Sequence, residues 1–169
     1  MRLHIRWMIR RDLTACLAIE RASFPHPWEE EDFLRHLRER SIIGMVAEDG
    51  ATGRVVGYMM YTLHKTMLVV NNFAVAEDCR RQGVGDQMVA KLLGKLTSHR
   101  RSKIVWDVGL NNLNCQLFLR EMGFTAVQYL HEHYTNTGGA AEDGVRFEYR
   151  VGEPVVTLHN RVSQYINDI

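Results

Sequence analysis

The sequence predicts an α/β (α+β) domain with a mixed, mostly antiparallel sheet of about seven strands, flanked by about four helices. Three observations predict it. The elements run strand, two helices, three strands, helix, strand, helix, two strands. Turn chemistry at Asp49-Gly50 to Gly53 and a break at His64-Lys65-Thr66 join successive strands as hairpins. One strand–helix–strand crossover, between Met67 and Val108, imposes the single parallel pairing.

Leu3 to Ile9 alternates loosely and reads as the first strand. Asp12 stands where an N-cap belongs and opens a helix to about Ala22. The two prolines of Ser23-Phe-Pro-His-Pro-Trp28 break that helix, because each disfavours helical backbone in the residue before it. A second helix starts near Trp28. Glu29, Glu30, Glu31 and Asp32 crowd its first turn, and Arg35, Arg38 and Arg40 its end, the order that suits the helix dipole. Ile42–Glu48, Val55–Leu63 and Met67–Val75 read as strands. Met88, Val89, Leu92, Leu93 and Leu96 form the apolar stripe of a helix from Gly85 to about Leu96. Lys103–Val108 is rich in β-branched residues and reads as a strand. Leu113–Met122 is a helix with Gly123 at its C-terminal cap. Phe124–Tyr134 and Val145–Val151 are the last strands, separated by a Gly-containing loop over Thr135–Gly144.

The chain has 169 residues, 46% of them hydrophobic, which supports a real core and excludes a disordered chain. With 21 Lys plus Arg against 20 Asp plus Glu, the net charge of +1 argues against direct nucleic-acid binding by bulk electrostatics. Cys16, Cys79 and Cys115 are odd in number and far apart. They point to neither a disulfide framework nor a zinc ribbon, and to a reducing, cytoplasmic compartment. No apolar run suits a signal peptide or a membrane span, so no membrane partner is expected.

The stretch that carries chemistry is Asn72-Phe-Ala-Val-Ala-Glu-Asp-Cys-Arg-Arg-Gln-Gly-Val-Gly85. A strand ends, a turn follows and a helix begins. Gly83 and Gly85 let the backbone approach a ligand, the first amides of the helix point outward beside a positive dipole end, and Arg80 and Arg81 add charge. That is a cradle suited to a pyrophosphate; a Gly-containing turn before an ordinary helix is the alternative. A P-loop is excluded because Lys-Ser/Thr is missing, and a dinucleotide fingerprint because its third glycine is missing.

Arg80-Arg-Gln-Gly-Val-Gly85 resembles the R/Q-x-x-G-x-G/A motif of the GNAT superfamily of acyl-CoA-dependent N-acyltransferases. Asn112-Leu-Asn-Cys-Gln-Leu-Phe-Leu-Arg-Glu-Met-Gly-Phe124 resembles that family's second motif, N-x-x-A-x-x-L-Y-x-x-x-G-F. Ser23 to Trp28, followed by acidic residues, is similar to a segment of the ribosomal-protein-alanine N-acetyltransferase branch. The resemblance covers residues 1–151 and implies the GNAT fold with acetyl-CoA as cosubstrate and no metal. It implies that the backbone of Phe73, Ala74 and Val75 pairs with the pantetheine arm. The pyrophosphate would lie on amides from Arg81 through Gln82, Gly83, Val84 and Gly85 to Asp86. Asn112 and its helix would flank the cofactor, with Cys115 as a small packing residue facing it. The fourth and fifth strands would splay to admit the thioester, and the Val75 amide would stabilise the oxyanion.

The chain departs from the family where the second motif usually carries a general-acid Tyr, for that position is Leu119. Asp107 takes the place of a Glu in the branch and is the expected base, acting through water. Tyr134 is the first substitute proton donor and Tyr61 the second. A thiol with a pKa near ~8.5 is a fair leaving group, so loss of the acid costs about 10²-fold without abolishing turnover. An α-amine with a pKa of roughly 7.7–8.0 needs a weaker base than a Lys amine near ~10.4. The residues therefore favour the α-amine of a protein or peptide N-terminus as acceptor. A small-molecule amine, such as a polyamine or an aminoglycoside, is the alternative. Leu119 also fits a catalytically weak acyl-CoA-binding module, and a domain that keeps the fold for assembly alone is the third reading.

His131-x-His133 places two imidazoles on one strand face, half a metal site at most and otherwise a surface strand. Cys79 beside Arg80 reads as a loop cysteine rather than an activated thiol. Glu29 to Asp32 either attract a basic acceptor or simply solvate a first turn. Val155, Val156, Leu158, Val162, Tyr165 and Ile166 give the extension 152–169 a partly amphipathic pattern. It is expected to form a helix that joins a partner subunit in a homodimer, with packing back on the sheet as the alternative.

Overall fold

A computed structural model describes residues 2–135 and 141–152. The expected C-terminal helix and half of the loop expected over Thr135–Gly144 lie outside the described residues, and Ala141–Gly144 belong to the last strand rather than to that loop. In chain order the elements are β1 (Leu3–Trp7), α1 (Leu13–Ser23), α2 (Glu30–Leu37), β2 (Ile42–Asp49), β3 (Val55–Leu63), β4 (Met67–Val75), α3 (Val84–Leu93), β5 (Lys103–Gly109), α4 (Leu113–Glu121), β6 (Thr125–Thr135) and β7 (Ala141–Arg150). Short 3-10 turns precede α1 and α3. The sheet has seven strands in the order β1-β2-β3-β4-β5-β7-β6, and its one parallel pair is β4 with β5. Both β3 and β4 have the bounds expected from their patterning. Helix α3 stops at Leu93, short of Leu96, because Gly94 takes the C-cap.

Alternation along β3 sorts the helices onto two faces. Gly57 faces α3: a Cβ there would stand 3.2 Å from Met88 Sδ and 3.4 Å from Val84 Cγ1. Tyr58, on the opposite face, packs edge-on against Phe33 of α2 and donates its hydroxyl to Glu20 of α1. Helix α4 lies on the α3 face, where Phe118 stacks on Phe73 at 6.0 Å and approaches Gly85. The two-sided burial explains why β3 reads as a nearly continuous apolar run.

Asp12 does not cap α1 with its side chain. Its carboxylate accepts the Ile9 N–H at 2.8 Å across the preceding 3-10 turn and forms an ion pair with Arg6 at 2.7 Å. The Arg6 guanidinium and that amide hold the Asp12 carboxyl below its usual range although burial opposes them. The acidic first turn of α2 is used locally: Asp32 accepts the Glu29 N–H at 3.0 Å and pairs with Arg35 at 2.7 Å, while Glu29 pairs with Arg21.

Candidate active site

The site begins where two strands part. The β4–β5 pairing ends at Val70↔Trp106, although β4 continues to Val75 and β5 to Gly109. A bulge starts the divergence: Tyr61 opposes Val70 but Met60 opposes Asn72, leaving Asn71 as the extra residue. Beyond it β4 stays bonded to β3. The Ala76 N–H donates to Val56 O at 2.8 Å across the Gly57↔Val75 pair. Gly57 and Val75 are therefore a non-hydrogen-bonded pair, and the Val75 N–H and C=O face the gap toward β5. Phe73 has the same parity. Ala74 does not, because its backbone faces Tyr58 in β3. Of the three residues expected to offer backbone to a pantetheine arm, two are thus oriented for it.

At the end of β4 the chain turns into α3. Arg81 has φ +59° and Gly83 φ +77°, and the first α3 bond runs from Gln87 N to Gly83 O at 3.2 Å. The amides of Val84, Gly85 and Asp86 precede that bond and are the outward donors of the helix start. A Cβ on Gly83 would meet nothing nearer than Asp86 Oδ2 at 3.7 Å, so the concavity is open there. Gly85 answers a different need. A Cβ would stand 3.1 Å from Phe118 Cζ, so this glycine lets α3 close against α4. Arg80 is a strut. Its guanidinium donates to Val75 O and to Ser23 Oγ, both at 3.0 Å, tying the end of α1 to the open end of β4. The Gln82 side chain donates to Asp78 O at 2.8 Å. Across the gap, Asn112 caps α4 by accepting the Cys115 N–H at 3.1 Å. Burial pushes the Cys115 thiol up to about 12.

The other mouth of the gap is lined from β5, β6 and β7. Trp106 faces Phe73 and Phe124 on the α4 side, so Asp107 faces the α1–α2 side. There Asp107 Oδ1 accepts Arg146 Nε at 2.7 Å, and Oδ2 accepts the Arg146 terminal nitrogen at 2.8 Å. His133 Nε2 lies 3.1 Å from the same Oδ2. Tyr134 follows, its ring edge-on to His133 at 4.8 Å. Burial, and then the charge of Asp107, raise its hydroxyl well above the ordinary tyrosine value, so it holds its proton at neutral pH. The pairing of the two histidines on one plain strand face needs correction. β6 bulges between Leu130 and Tyr134, and Glu132 has φ +48°. His131 turns to Asp143 at 3.1 Å while His133 turns to Asp107. Among the described residues no group of three or more His, Cys, Asp or Glu is placed to hold a metal.

Tyr61 lies elsewhere. It is 2% exposed within the core, where burial raises its hydroxyl to about 12. Leu119, fully buried, packs in the core and offers no proton. Cys79 is 4% exposed, and burial raises its thiol, the opposite of activation.

The parted strands therefore have a helix-start cradle on one face and a polar cluster on the other. The sequence matches the Acetyltransferase (GNAT) family over residues 10–124. The chain belongs to that family. This GNAT enzyme is an acetyl-CoA-dependent N-acetyltransferase. A curated relative, the [Ribosomal protein bS18]-alanine N-acetyltransferase of Escherichia coli (strain K12), is 23% identical over 134 residues, covering 79% of this chain and 88% of that relative. The crystal structure of the ribosomal-protein-S18-alanine N-acetyltransferase from Escherichia coli superposes with a TM-score of 0.77 at 20% identity, covering 93% of this chain and 99% of that one. Arabidopsis thaliana NAA60 in complex with acetyl-CoA gives a TM-score of 0.76 at 18% identity, with 90% and 100% covered. Ard1 from Thermoplasma volcanium gives 0.77 at 22% identity, again with 90% and 100% covered. These likenesses establish the GNAT fold. The donor set fits the cosubstrate: the amides of residues 84–86 suit a pyrophosphate, and the gap-facing backbone of Phe73 and Val75 suits an amide-bearing arm.

Proposed function

We propose that this acetyltransferase modifies the α-amine of a protein or peptide N-terminus by direct attack, without an acyl-enzyme. The observation that carries the reading is the polar cluster of Asp107, His133 and Tyr134 on the α1–α2 side of the strand gap, where an amine can meet the thioester. The segment leading into α2 is fixed at that side. The Trp28 N–H donates to Glu20 Oε1 at 2.8 Å, the Trp28 ring stacks on His36 at 4.2 Å, and Arg80 links Ser23 to Val75 O. The curated relatives named for alanine N-acetylation support the same acceptor class.

Acetyl-CoA supplies the activated acyl group; the chain positions it and manages charge and protons. The gap-facing Val75 N–H is aimed to donate to the oxyanion that develops as the carbonyl is attacked, an arrangement worth about 3–4 kcal/mol per donor in other enzymes. Tyr134 holds a proton for the departing thiolate. An α-amine carries a useful free-base fraction at neutral pH, so it needs only a modest base.

Thiol release with an Ala-initiated peptide, the same peptide N-acetylated but carrying Lys, and spermidine tests the acceptor. The uncapped peptide is expected to react at least about 10-fold faster than the other two. Faster reaction of the Lys or the polyamine overturns the N-terminal reading. Acetyl-CoA binding without release on any acceptor favours a weak acyl-CoA-binding module, to which Leu119 points. Tyr134→Phe is expected to lower kcat about 10- to 100-fold with acetyl-CoA affinity unchanged. Wild-type turnover would return Tyr134 to a packing role.

A further inference from the structure

We propose that His133 is the general base of this enzyme and that Asp107, at the position where the branch places its acid, is a positioning residue. The inference rests on the acetyl-transfer reading. Asp107 is poorly placed to receive a proton from an incoming amine. A carboxylate has about four lone-pair sites; the Arg146 fork engages one on each oxygen, at 2.7 and 2.8 Å, and the His133 ring stands 3.1 Å from Oδ2, crowding a third. The same contacts make His133 available. With Nε2 3.1 Å from a carboxylate oxygen, the ring proton is favoured on that nitrogen, which leaves Nδ1 as the bare acceptor, and an imidazole is the side chain suited to exchange a proton near neutral pH.

The aim of His133 is built into the backbone. In a regular strand His131 and His133 would share a face and one environment. Here the β6 bulge separates them, and one carboxylate fixes it: Asp143 accepts the Tyr129 hydroxyl, the Glu132 N–H at 2.8 Å and the His131 ring at 3.1 Å. Those donors hold the Asp143 carboxyl below its usual range, the Tyr129 hydroxyl first. A bulge that re-aims one side chain beside a reaction site is a recurrent device. The charged and titratable groups around the imidazole are Asp107 from β5, Arg146 and Glu142 from β7, and Glu132 and Tyr134 from its own strand.

The step balances as follows. The amine nitrogen bonds to the thioester carbonyl carbon, its proton passes to His133 Nδ1, the C–S bond breaks, and the electron pair leaves on sulfur. Tyr134 protonates the thiolate, and the imidazolium and phenolate return to their resting forms through solvent.

His133→Gln is expected to lower kcat about 100-fold on any acceptor that wild type turns over, with acetyl-CoA affinity unchanged and the acid limb of the pH–rate profile lost. Imidazole in solution should partly restore His133→Ala. Asp107→Asn should lower kcat less than His133→Gln. Equal turnover by wild type and His133→Gln overturns the base and leaves acetyl transfer standing. Failure of the uncapped peptide beside a reactive small amine overturns the N-terminal acceptor and leaves the base standing. A second readout needs no turnover: nitrogen NMR of the His133 ring in the intact enzyme is expected to show Nε2 protonated and Nδ1 bare. The reverse tautomer overturns the proposal.

Discussion

Gly83→Asp is expected to weaken acetyl-CoA binding about 30- to 100-fold while the protein stays folded. Two effects act and can be separated. Gly83 has φ +77°, so any side chain brings backbone strain, about 1–2 kcal/mol in the left-handed region. Space is not the obstacle, since a Cβ meets nothing closer than 3.7 Å. The second effect is charge. A carboxylate at this position would stand in the concavity formed by the amides of residues 84–86, within several ångströms of a bound pyrophosphate. Two like charges ~5 Å apart at an effective dielectric of ~20 repel by about 3 kcal/mol, and solvent exposure lowers this to about 2–3 kcal/mol. Gly83→Asn is the control, because it carries nearly the same shape and the same strain without the charge. Calorimetric titration should therefore find the asparagine variant close to wild type and the aspartate variant far weaker, the difference shrinking in high salt. An unchanged dissociation constant for Gly83→Asp would remove the pyrophosphate from this helix start.

That cradle was legible because it is local. The turn, the two glycines and the apolar stripe of α3 lie within a few residues of one another, and the parting of β4 from β5 follows from the family resemblance. The polar cluster on the other face was not legible to the same degree, for topological reasons. Asp107, His133 and Arg146 come from three strands, and they meet because β7 lies between β5 and β6, with Arg146 directly opposite Asp107. The sequence shows two terminal strands but not which of them borders β5. Nor does it show the β6 bulge. His131-x-His133 obeys simple alternation on paper, and Asp143, twelve residues after His131, decides otherwise. A non-glycine residue at positive φ, here Glu132, leaves no compositional mark. Arg80 shows the same limit of a local reading. An arginine beside a phosphate cradle looks like a ligand for the phosphate, yet its long side chain reaches back to Val75 O and Ser23 Oγ.

Glu20→Ala is expected to lower stability by about 3 kcal/mol, or a Tm shift of about 6–12 °C for a chain of this size. Glu20 is 1% exposed, and its carboxylate accepts from three sources. Trp28 gives a backbone N–H at 2.8 Å, Asn72 its side-chain amide at 3.2 Å to each oxygen, and Tyr58 its hydroxyl. Alanine leaves the Trp28 N–H and the Asn72 amide buried without this acceptor, while the Tyr58 hydroxyl keeps Asn72 Oδ1 at 3.2 Å, and each unsatisfied group costs about 1–3 kcal/mol before relaxation or an entering water recovers part of it. The network joins α1, the segment leading into α2, and strands β3 and β4, so its loss also frees the Trp28 segment. Glu20→Gln is expected to lose less, because it keeps one oxygen acceptor while placing an amide against donors. Burial first, and then the Glu20 charge, raise the Tyr58 hydroxyl far above its ordinary value. Below pH ~10 the tyrosine is protonated in both folded and unfolded chains, and its contribution is fully present. Above that the unfolded chain releases a proton that the folded one retains, so stability falls by about 1.4 kcal/mol per pH unit until the raised native value is reached. Tyr58→Phe should remove this alkaline loss. A Glu20→Ala melting temperature within 2 °C of wild type, or an alkaline slope unchanged in Tyr58→Phe, would show that the carboxylate does not bind these elements together.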